Sequence, residues 1–389
     1  MIGRRVAVTG MGVVAPCGVG IDAFWAGLLA TPADGERRLD DFDPSAWFGP
    51  KEARRTDRFA QLAVAAADMA LEHAGPLAVD LDRAGVLIAT GVGGLHTLED
   101  QIVLRHEKGT KRVSPFLVPM MMANAGAAAV SMRHGWRGPC ETTVTACAAS
   151  THAIANAARL IATGRCDAVM TGGSEAAITP TGVAGFGNMT ALSASGRSRP
   201  YDVDRDGFVI AEGAAVLVLE AWDLAEARGA RVLGEVLGGA STADAHHITA
   251  PDPGGSGAVR AIEQALGDAG LASADIRQIN GHGTSTPLND AAEAAAITKV
   301  FGAPGPPVTS TKGVTGHALG AAGALEAAAV LLSMEHGLIP PTAGLEHLDP
   351  EITLDVVMGA PRPWEPGPTL SNSFGFGGHN GCLVLGPPS

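Results

Sequence analysis

Between Gly320 and His336 the chain carries Ala321, Ala322, Ala324, Leu325, Ala327, Ala328, Ala329, Val330, Leu331 and Leu332, with almost no polar residue on any face. A helix that is apolar all round has to be covered all round. No apolar stretch here approaches the ~20 residues that span a bilayer, so the helix is expected in the core of a fold, between sheets. The rest of the chain supplies the layers. Short β-branched or aliphatic runs bounded by glycine recur at Val6 to Thr9, Gly85 to Ala89, Ala168 to Thr171, Ala215 to Leu219, Ile276 to Asn280, Val308 to Ser310 and Cys382 to Leu385. Alanine-rich helical stretches lie between them, most clearly at Arg58 to Glu72, Ser150 to Ala162, Gly257 to Ala269 and Asp290 to Val300. Such alternation is the pattern of a layered α/β architecture.

With 389 residues, 46% of them hydrophobic, the chain can bury a large core and is long enough for two or three domain-sized units. The runs Pro251 to Gly255 and Pro304 to Pro307 mark loops too short to be flexible linkers. A halfway boundary is expected near Ala227-Arg228-Gly229-Ala230-Arg231, although no fixed-period repeat is visible. Charge narrows the partners: 27 basic against 40 acidic residues leave a net of −13, which argues against general binding to nucleic acid or anionic membrane. Any acidic partner has to find a local basic patch. Cys17, Cys140, Cys147, Cys166 and Cys382 are odd in number with no C-x-x-C pair, so neither a disulfide framework nor a zinc ribbon is indicated, and a reducing, cytoplasmic setting is expected. Met1 to Val8 passes straight into a strand-like run, and no targeting segment is expected.

The chemistry gathers in four motifs. Cys147 sits in Thr145-Ala146-Cys147-Ala148-Ala149-Ser150, where a β-branched run gives way to a helical pattern. At a helix N-terminus the first N–H groups lack intrahelical partners and the macrodipole favours negative charge, so a depressed thiol pKa and a nucleophile are expected. A buried, inert cysteine is the commoner fate of a free thiol. What tips the balance lies downstream. In Asn280-Gly281-His282-Gly283-Thr284-Ser285-Thr286, after a strand-like run, the flanking glycines are expected to leave His282 exposed to a pocket rather than packed. Ser310-Thr311-Lys312-Gly313-Val314-Thr315-Gly316-His317 repeats the order of strand, polar loop and buried helix, a layout that aims side chains and N–H groups into a site. Lysine is scarce in this chain, with only Lys51, Lys108, Lys111 and Lys299 besides Lys312. Asn372-Ser373-Phe374-Gly375-Phe376-Gly377-Gly378-His379-Asn380 reads as a glycine-rich hinge able to supply backbone N–H groups and to move. A cysteine at a helix N-terminus with two histidines on glycine-flanked loops points to covalent thioester chemistry.

In residues, order and spacing these motifs, together with Val6 to Pro16 at the start, closely resemble the type II elongating β-ketoacyl-(acyl-carrier-protein) synthases, condensing enzymes of the thiolase superfamily. The resemblance runs from the first strand to the last. It implies an α/β thiolase fold, layered αβαβα, in two pseudo-duplicated halves: residues 1–230 with the nucleophile and residues 231–389 with the two histidines. It also implies a decarboxylative Claisen condensation. Cys147 would take an acyl chain from acyl carrier protein as a thioester and yield it to a carbanion made by decarboxylating malonyl carrier protein. On the same resemblance His282 and His317 assist decarboxylation and stabilise the enolate oxygen as neutral imidazoles. The N–H groups of Cys147 and Phe376 form an oxyanion hole, Phe376 is also a gate, and Lys312 organises the site electrostatically with Glu326 as its carboxylate partner. Thr284 and Thr286 bond the pantetheine arm, Phe374 packs beside the malonyl group, and Met122 lines the acyl channel. Asp244, His247 and Thr249 belong to a mobile loop at the pantetheine entrance. Lys51, Arg54 and Arg55 match a carrier-docking patch, to which Arg137 is expected to add.

Histidine at 317 selects elongation by similarity, since starter synthases place asparagine there and degradative thiolases use a second cysteine. The pathway stays open between fatty-acid elongation and a type II polyketide system in which the chain pairs with a chain-length partner instead of a second copy of itself. No resident cofactor and no metal is implied, the substrates being carried on phosphopantetheine. One departure concerns Ala30 to Arg38, which looks shorter than the usual stretch and bears on carrier specificity. Competing assignments are weaker. Gly10-Met11-Gly12 lacks the third glycine and the ribose-binding acid of a dinucleotide site, a cysteine hydrolase has no need of two glycine-flanked histidines, and His246-His247 are adjacent, which rarely makes a metal site.

Overall fold

The computed structural model describes residue 1 and residues 3–388. In it β1 (Val6–Ala15), with β2 (Gly18–Val19) folded back on it, lies at the middle of a mixed sheet and is buried along its whole length. The other strands of that sheet are β3 (Ala84–Ala89), β4 (Cys140–Glu141), β5 (Ala168–Glu175), β6 (Gly213–Ala221), β7 (Gly234–Ala243), β8 (Gln278–Asn280), β9 (Val308–Thr309), β12 (Thr369–Gly375) and β13 (His379–Gly386). A separate pair is formed by β10 (Leu338–Ile339) and β11 (Arg362–Pro363). The strand order is β4-β3-β5-β6-β1-β7-β13-β12-β8-β9.

That order is one pattern written twice. From β1 outward the pairings with β6 and β5 are antiparallel, and those with β3 and β4 are parallel. From β7 outward, β13 and β12 are again antiparallel, and β8 and β9 again parallel. The two sets of five meet where Ala7 stands opposite Glu235 and Val8 opposite Gly234.

Side-chain alternation builds the layers. On β6, Leu217 and Leu219 face a central core while Val216 and Val218 face an outer one packed on the helix Arg58–Ala74. On β13, Leu383 and Leu385 face the same central core, while Cys382 and Val384 face the other outer one, packed on the helix Ser256–Ala269. The central layer holds the helices Ala149–Ala162 and Ala322–His336. The second is buried on every residue from Ala322 to Met334, as its all-apolar sequence requires. The result is the expected αβαβα stack. No helix among the described residues is long and apolar enough to cross a membrane.

Two strands differ from the sequence expectation. β7 lies in a run with glycine at 234, 238 and 239, and β12 occupies much of the segment read as a hinge. Phe374 pairs with Asn380 and Gly375 with His379 across a tight turn, so the hinge is the tip of a hairpin.

Candidate active site

Cys147 closes a strained elbow. Ala146 has φ +49°, a left-handed conformation unusual for a residue with a Cβ, and Ala148 then caps the helix Ala149–Ala162. Gly375 lies so close that a Cβ there would sit 3.0 Å from Cys147 N and Thr145 O. The equivalent loop of the second half, after β9, carries Lys312 and His317. His317 Nε2 is 3.0 Å from Cys147 Sγ. The His282 ring meets His317 edge-on, with centroids 5.4 Å apart and an interplanar angle of 82°, and Phe374 and Phe208 pack edge-on against His282 and His317 respectively. Lys312 Nζ donates to His282 O at 2.6 Å, faces His282 Nδ1 at 3.2 Å and forms a buried ion pair with Glu326.

Electrostatics correct one expectation. Burial pushes the Cys147 thiol up to about 12; the Lys312 charge and the Phe376 N–H pull it back only in part. The helix N-terminus is present, but the thiol is 6% exposed, and in a dry site the loss of hydration outweighs the dipole. The resting group is therefore a thiol hydrogen-bonded to His317. Both histidines are held well below their ordinary range by burial and then by the Lys312 charge, so both are neutral at pH 7. With Lys312 donating toward His282 Nδ1, the His282 proton belongs on Nε2. Burial also lifts the Glu326 carboxyl to about 7, against the opposing pull of Lys312.

His282 itself is packed, at 1% exposure, although it belongs to the lining of the cavity. Its loop is held by a residue the sequence reading missed. Glu293, on the helix Pro287–Phe301, accepts from His282 N and Gly283 N at 2.7 Å each and from Asn372 Nδ2 at 3.2 Å. The turn after His317 has a similar anchor in buried Glu175, which accepts from Gly320 N at 3.0 Å and Gly91 N at 2.6 Å. The only hint of Glu293 in sequence is its place one helical turn beyond Asp290, just after the histidine loop.

These groups form the floor of a cavity of about 580 Å³. Thr284 and Thr286, with hydroxyls 2.9 Å apart, line it together with Phe374, Phe376, Asp244 and Thr249. Met189, Thr190, Ala191, Phe208, Leu288 and Leu319 also line it and were not anticipated. Two anticipated residues do not. His247 is exposed, and its Nδ1 accepts from Thr249 N at 3.2 Å and Ala250 N at 3.1 Å. Met122 caps the short helix Leu117–Met121 and is 41% exposed, outside this cavity. Cys147 Sγ and one nitrogen of each histidine lie within 4.8 Å of one another, a donor set that suits a soft metal, but the Lys312 ammonium behind His282 opposes a cation there.

Lys51, Arg54 and Arg55 are exposed in and after the short helix Pro50–Ala53. Lys51 and Arg55 border a surface groove with Phe48 and Met132, and the Arg55 guanidinium lies 4.2 Å from the centre of the Phe116 ring. Lys111 and Arg112, unanticipated, are exposed on the segment that leads to Phe116. Arg137 is not part of the groove and is paired with Asp82 at 2.6 Å.

Residues 30–225 match the family "Beta-ketoacyl synthase, N-terminal domain" and residues 233–346 the family "Beta-ketoacyl synthase, C-terminal domain". The chain is 45% identical over 408 residues to 3-oxoacyl-[acyl-carrier-protein] synthase 2 of Synechocystis sp., covering 98% of each. The solved ishigamide ketosynthase/chain length factor superposes with a TM-score of 0.94 at 33% identity, over 100% of both chains. The type II polyketide ketosynthase in the AntDE:AntF complex with its acyl-carrier protein gives a TM-score of 0.91 at 33% identity, over 99% of this chain and 100% of that one.

Proposed function

The chain belongs to the β-ketoacyl synthase family, and from that membership and the geometry of the cavity we propose that it condenses acyl and malonyl thioesters of acyl carrier protein in fatty-acid elongation. One observation carries the assignment: a thiol 3.0 Å from His317 Nε2, with His282 edge-on beside it, at the floor of a cavity of about 580 Å³.

In the first half-reaction Cys147 Sγ attacks the acyl thioester. The Sγ–C bond forms, the bond to the pantetheine sulfur breaks, and the thiol proton leaves with that sulfur, His317 staying neutral with its Nε2–H toward Sγ. The N–H groups of Cys147 and Phe376 are the donors available to the tetrahedral oxyanion. In the second, the malonyl C–CO2 bond breaks and its electron pair becomes an enolate, whose oxygen accepts from Nε2–H of His282 and His317. The enolate carbon then bonds to the acyl carbon on Cys147, the Sγ–C bond breaks, and the departing sulfur takes one proton from solvent to restore the thiol. Lys312 keeps both imidazoles neutral and fixes the His282 tautomer, with Glu326 balancing its charge. Thr284 and Thr286 suit the pantetheine amides, and Phe374 suits the malonyl group. No resident cofactor is needed.

For the carrier we propose the surface of Lys51, Arg54 and Arg55, extended by Lys111 and Arg112 through Phe116; local positive charge is what a chain of net −13 needs to hold an acidic partner. Five free cysteines suit a reducing, cytoplasmic setting. Intact-mass trapping with a panel of acyl carrier thioesters tests the proposal. An adduct on the wild type and none on Cys147→Ala is expected, and an acyl adduct elsewhere on the chain would sink it.

The likeness to the ishigamide ketosynthase/chain length factor favours a second possibility, a polyketide ketosynthase paired with a chain-length partner. Gel filtration and co-purification separate that from a homodimer.

A further inference from the structure

We propose that Tyr201 is a positioning residue for the decarboxylation step, holding His282 in place through the carboxylate of Glu293. Tyr201 is the one tyrosine of the chain and is fully buried. Its hydroxyl donates to Glu293 Oε2 at 2.9 Å. The same carboxylate takes the N–H groups of His282 and Gly283 and the amide of Asn372, so donors from three distant segments converge on one buried anion. Each donor lost leaves that anion short of a charge-assisted bond it cannot recover from water.

The packing around the histidine loop supports the same role. A Cβ on Gly281 would collide with the Tyr201 hydroxyl, and one on Gly283 would lie 3.0 Å from it and 2.6 Å from Ser310 Cβ. The glycines flanking His282 are thus the mark of what presses on the loop. Tyr201 is fixed from its main chain as well. It holds φ +64°, its N donates to Asp290 Oδ2 at 2.9 Å, and its carbonyl accepts from Asp349 N at 3.0 Å. Tyr201 does not line the cavity, and its hydroxyl network touches neither Cys147 nor His317. It therefore acts on one half-reaction and not the other. The proposal rests on the assignment of His282 to decarboxylation made above.

The test compares single-turnover decarboxylation of malonyl carrier protein with acyl transfer to Cys147, in the full-length enzyme and in Tyr201→Phe, Glu293→Gln and the double variant. Tyr201→Phe is expected to lower kcat for decarboxylation about fivefold while KM and acyl transfer stay within about twofold. The double variant is expected to be no slower than Glu293→Gln alone. Equal losses in both half-reactions, or losses that multiply in the double variant, overturn the proposal. Because the chain has one tyrosine, labelled or fluorinated tyrosine marks Tyr201 alone. The ζ-carbon NMR signal is expected to move in Glu293→Gln, and an unmoved signal counts against the hydrogen bond. Should the variants fail to fold, difluorotyrosine keeps the shape and strengthens the donor; decarboxylation must then change while acyl transfer does not, and an unchanged rate overturns the proposal. His282→Ala separates the two claims: retained decarboxylation overturns both, whereas loss there with none in Tyr201→Phe overturns only the role of Tyr201.

Discussion

In the first half of the molecule the loop between β4 and the helix Ala149–Ala162 delivers a thiol; in the second, the loop between β9 and the helix Ala322–His336 delivers Lys312 and His317. Both helices lie in the central layer, so both loops open onto one cavity. The next strand of the large sheet after each helix diverges too: β5 ends in the buried anchor Glu175, β12 runs into the hairpin tip of Phe374 and Phe376. Repeated topology thus places two similar loops face to face, and the side chains divide the work. On the mechanism proposed above, the nucleophile comes from one half and the proton-handling groups from the other.

The sharpest break of that division is Cys147→Ala. Condensation is expected to fall by about 10⁴ or more, with malonyl decarboxylation retained, because the second half keeps its histidines; retained elongation would refute the assignment. The next concerns the dry thiol. With the folded group near 12 against an ordinary 9.0, alkylation by iodoacetamide should climb about tenfold per pH unit from pH 7 to 10, read by mass spectrometry. A plateau below pH 8 would show that the dipole wins after all. The sign for stability follows: between 9 and about 12 the unfolded chain gives up the proton and the folded one keeps it, so rising pH in that window favours unfolding.

Within the second half, Glu326→Ala strands the Lys312 charge and is expected to cost about 3–5 kcal/mol in denaturant unfolding; a change below about 1 kcal/mol would mean that water reaches the pair. His317→Ala should slow decarboxylation about a hundredfold and acyl transfer less, and equal loss in single-turnover assays would erase the division of labour. The smallest effect belongs to the first half's surface. Arg54→Glu is expected to raise KM for acyl carrier protein about fivefold, with the difference shrinking in high salt; a KM that does not respond removes that patch.

Much of this was legible because it is local. The all-apolar run after Gly320 required a central layer, and glycine-bounded motifs marked the loops that carry Cys147, His282 and His317. Non-local features were not legible. Strand β7 resembles a loop because it is rich in glycine, yet a Cβ at Gly238 would lie 2.6 Å from Ala269 N and one at Gly239 2.8 Å from Ala155 Cβ. Close approach of helices on both faces, not turning, explains those glycines. Glu293 and Tyr201 escaped notice because their partners are far apart in sequence. The Cys147 expectation weighed the field of one helix without the burial that only tertiary packing creates, and Met122 and His247, given roles by similarity, do not themselves line the cavity.

Among the described residues no lysine or arginine lines the cavity, and the Lys312 ammonium behind it is engaged by Glu326 and His282. On the mechanism proposed above, a malonyl carboxylate that enters beside Phe374 and Phe208 therefore arrives as an anion with no spare counter-ion. Departure as uncharged carbon dioxide relieves that misfit, while the electrons left behind meet two N–H donors already in place. An empty seat for positive charge is, on that mechanism, part of what makes carbon dioxide the leaving group.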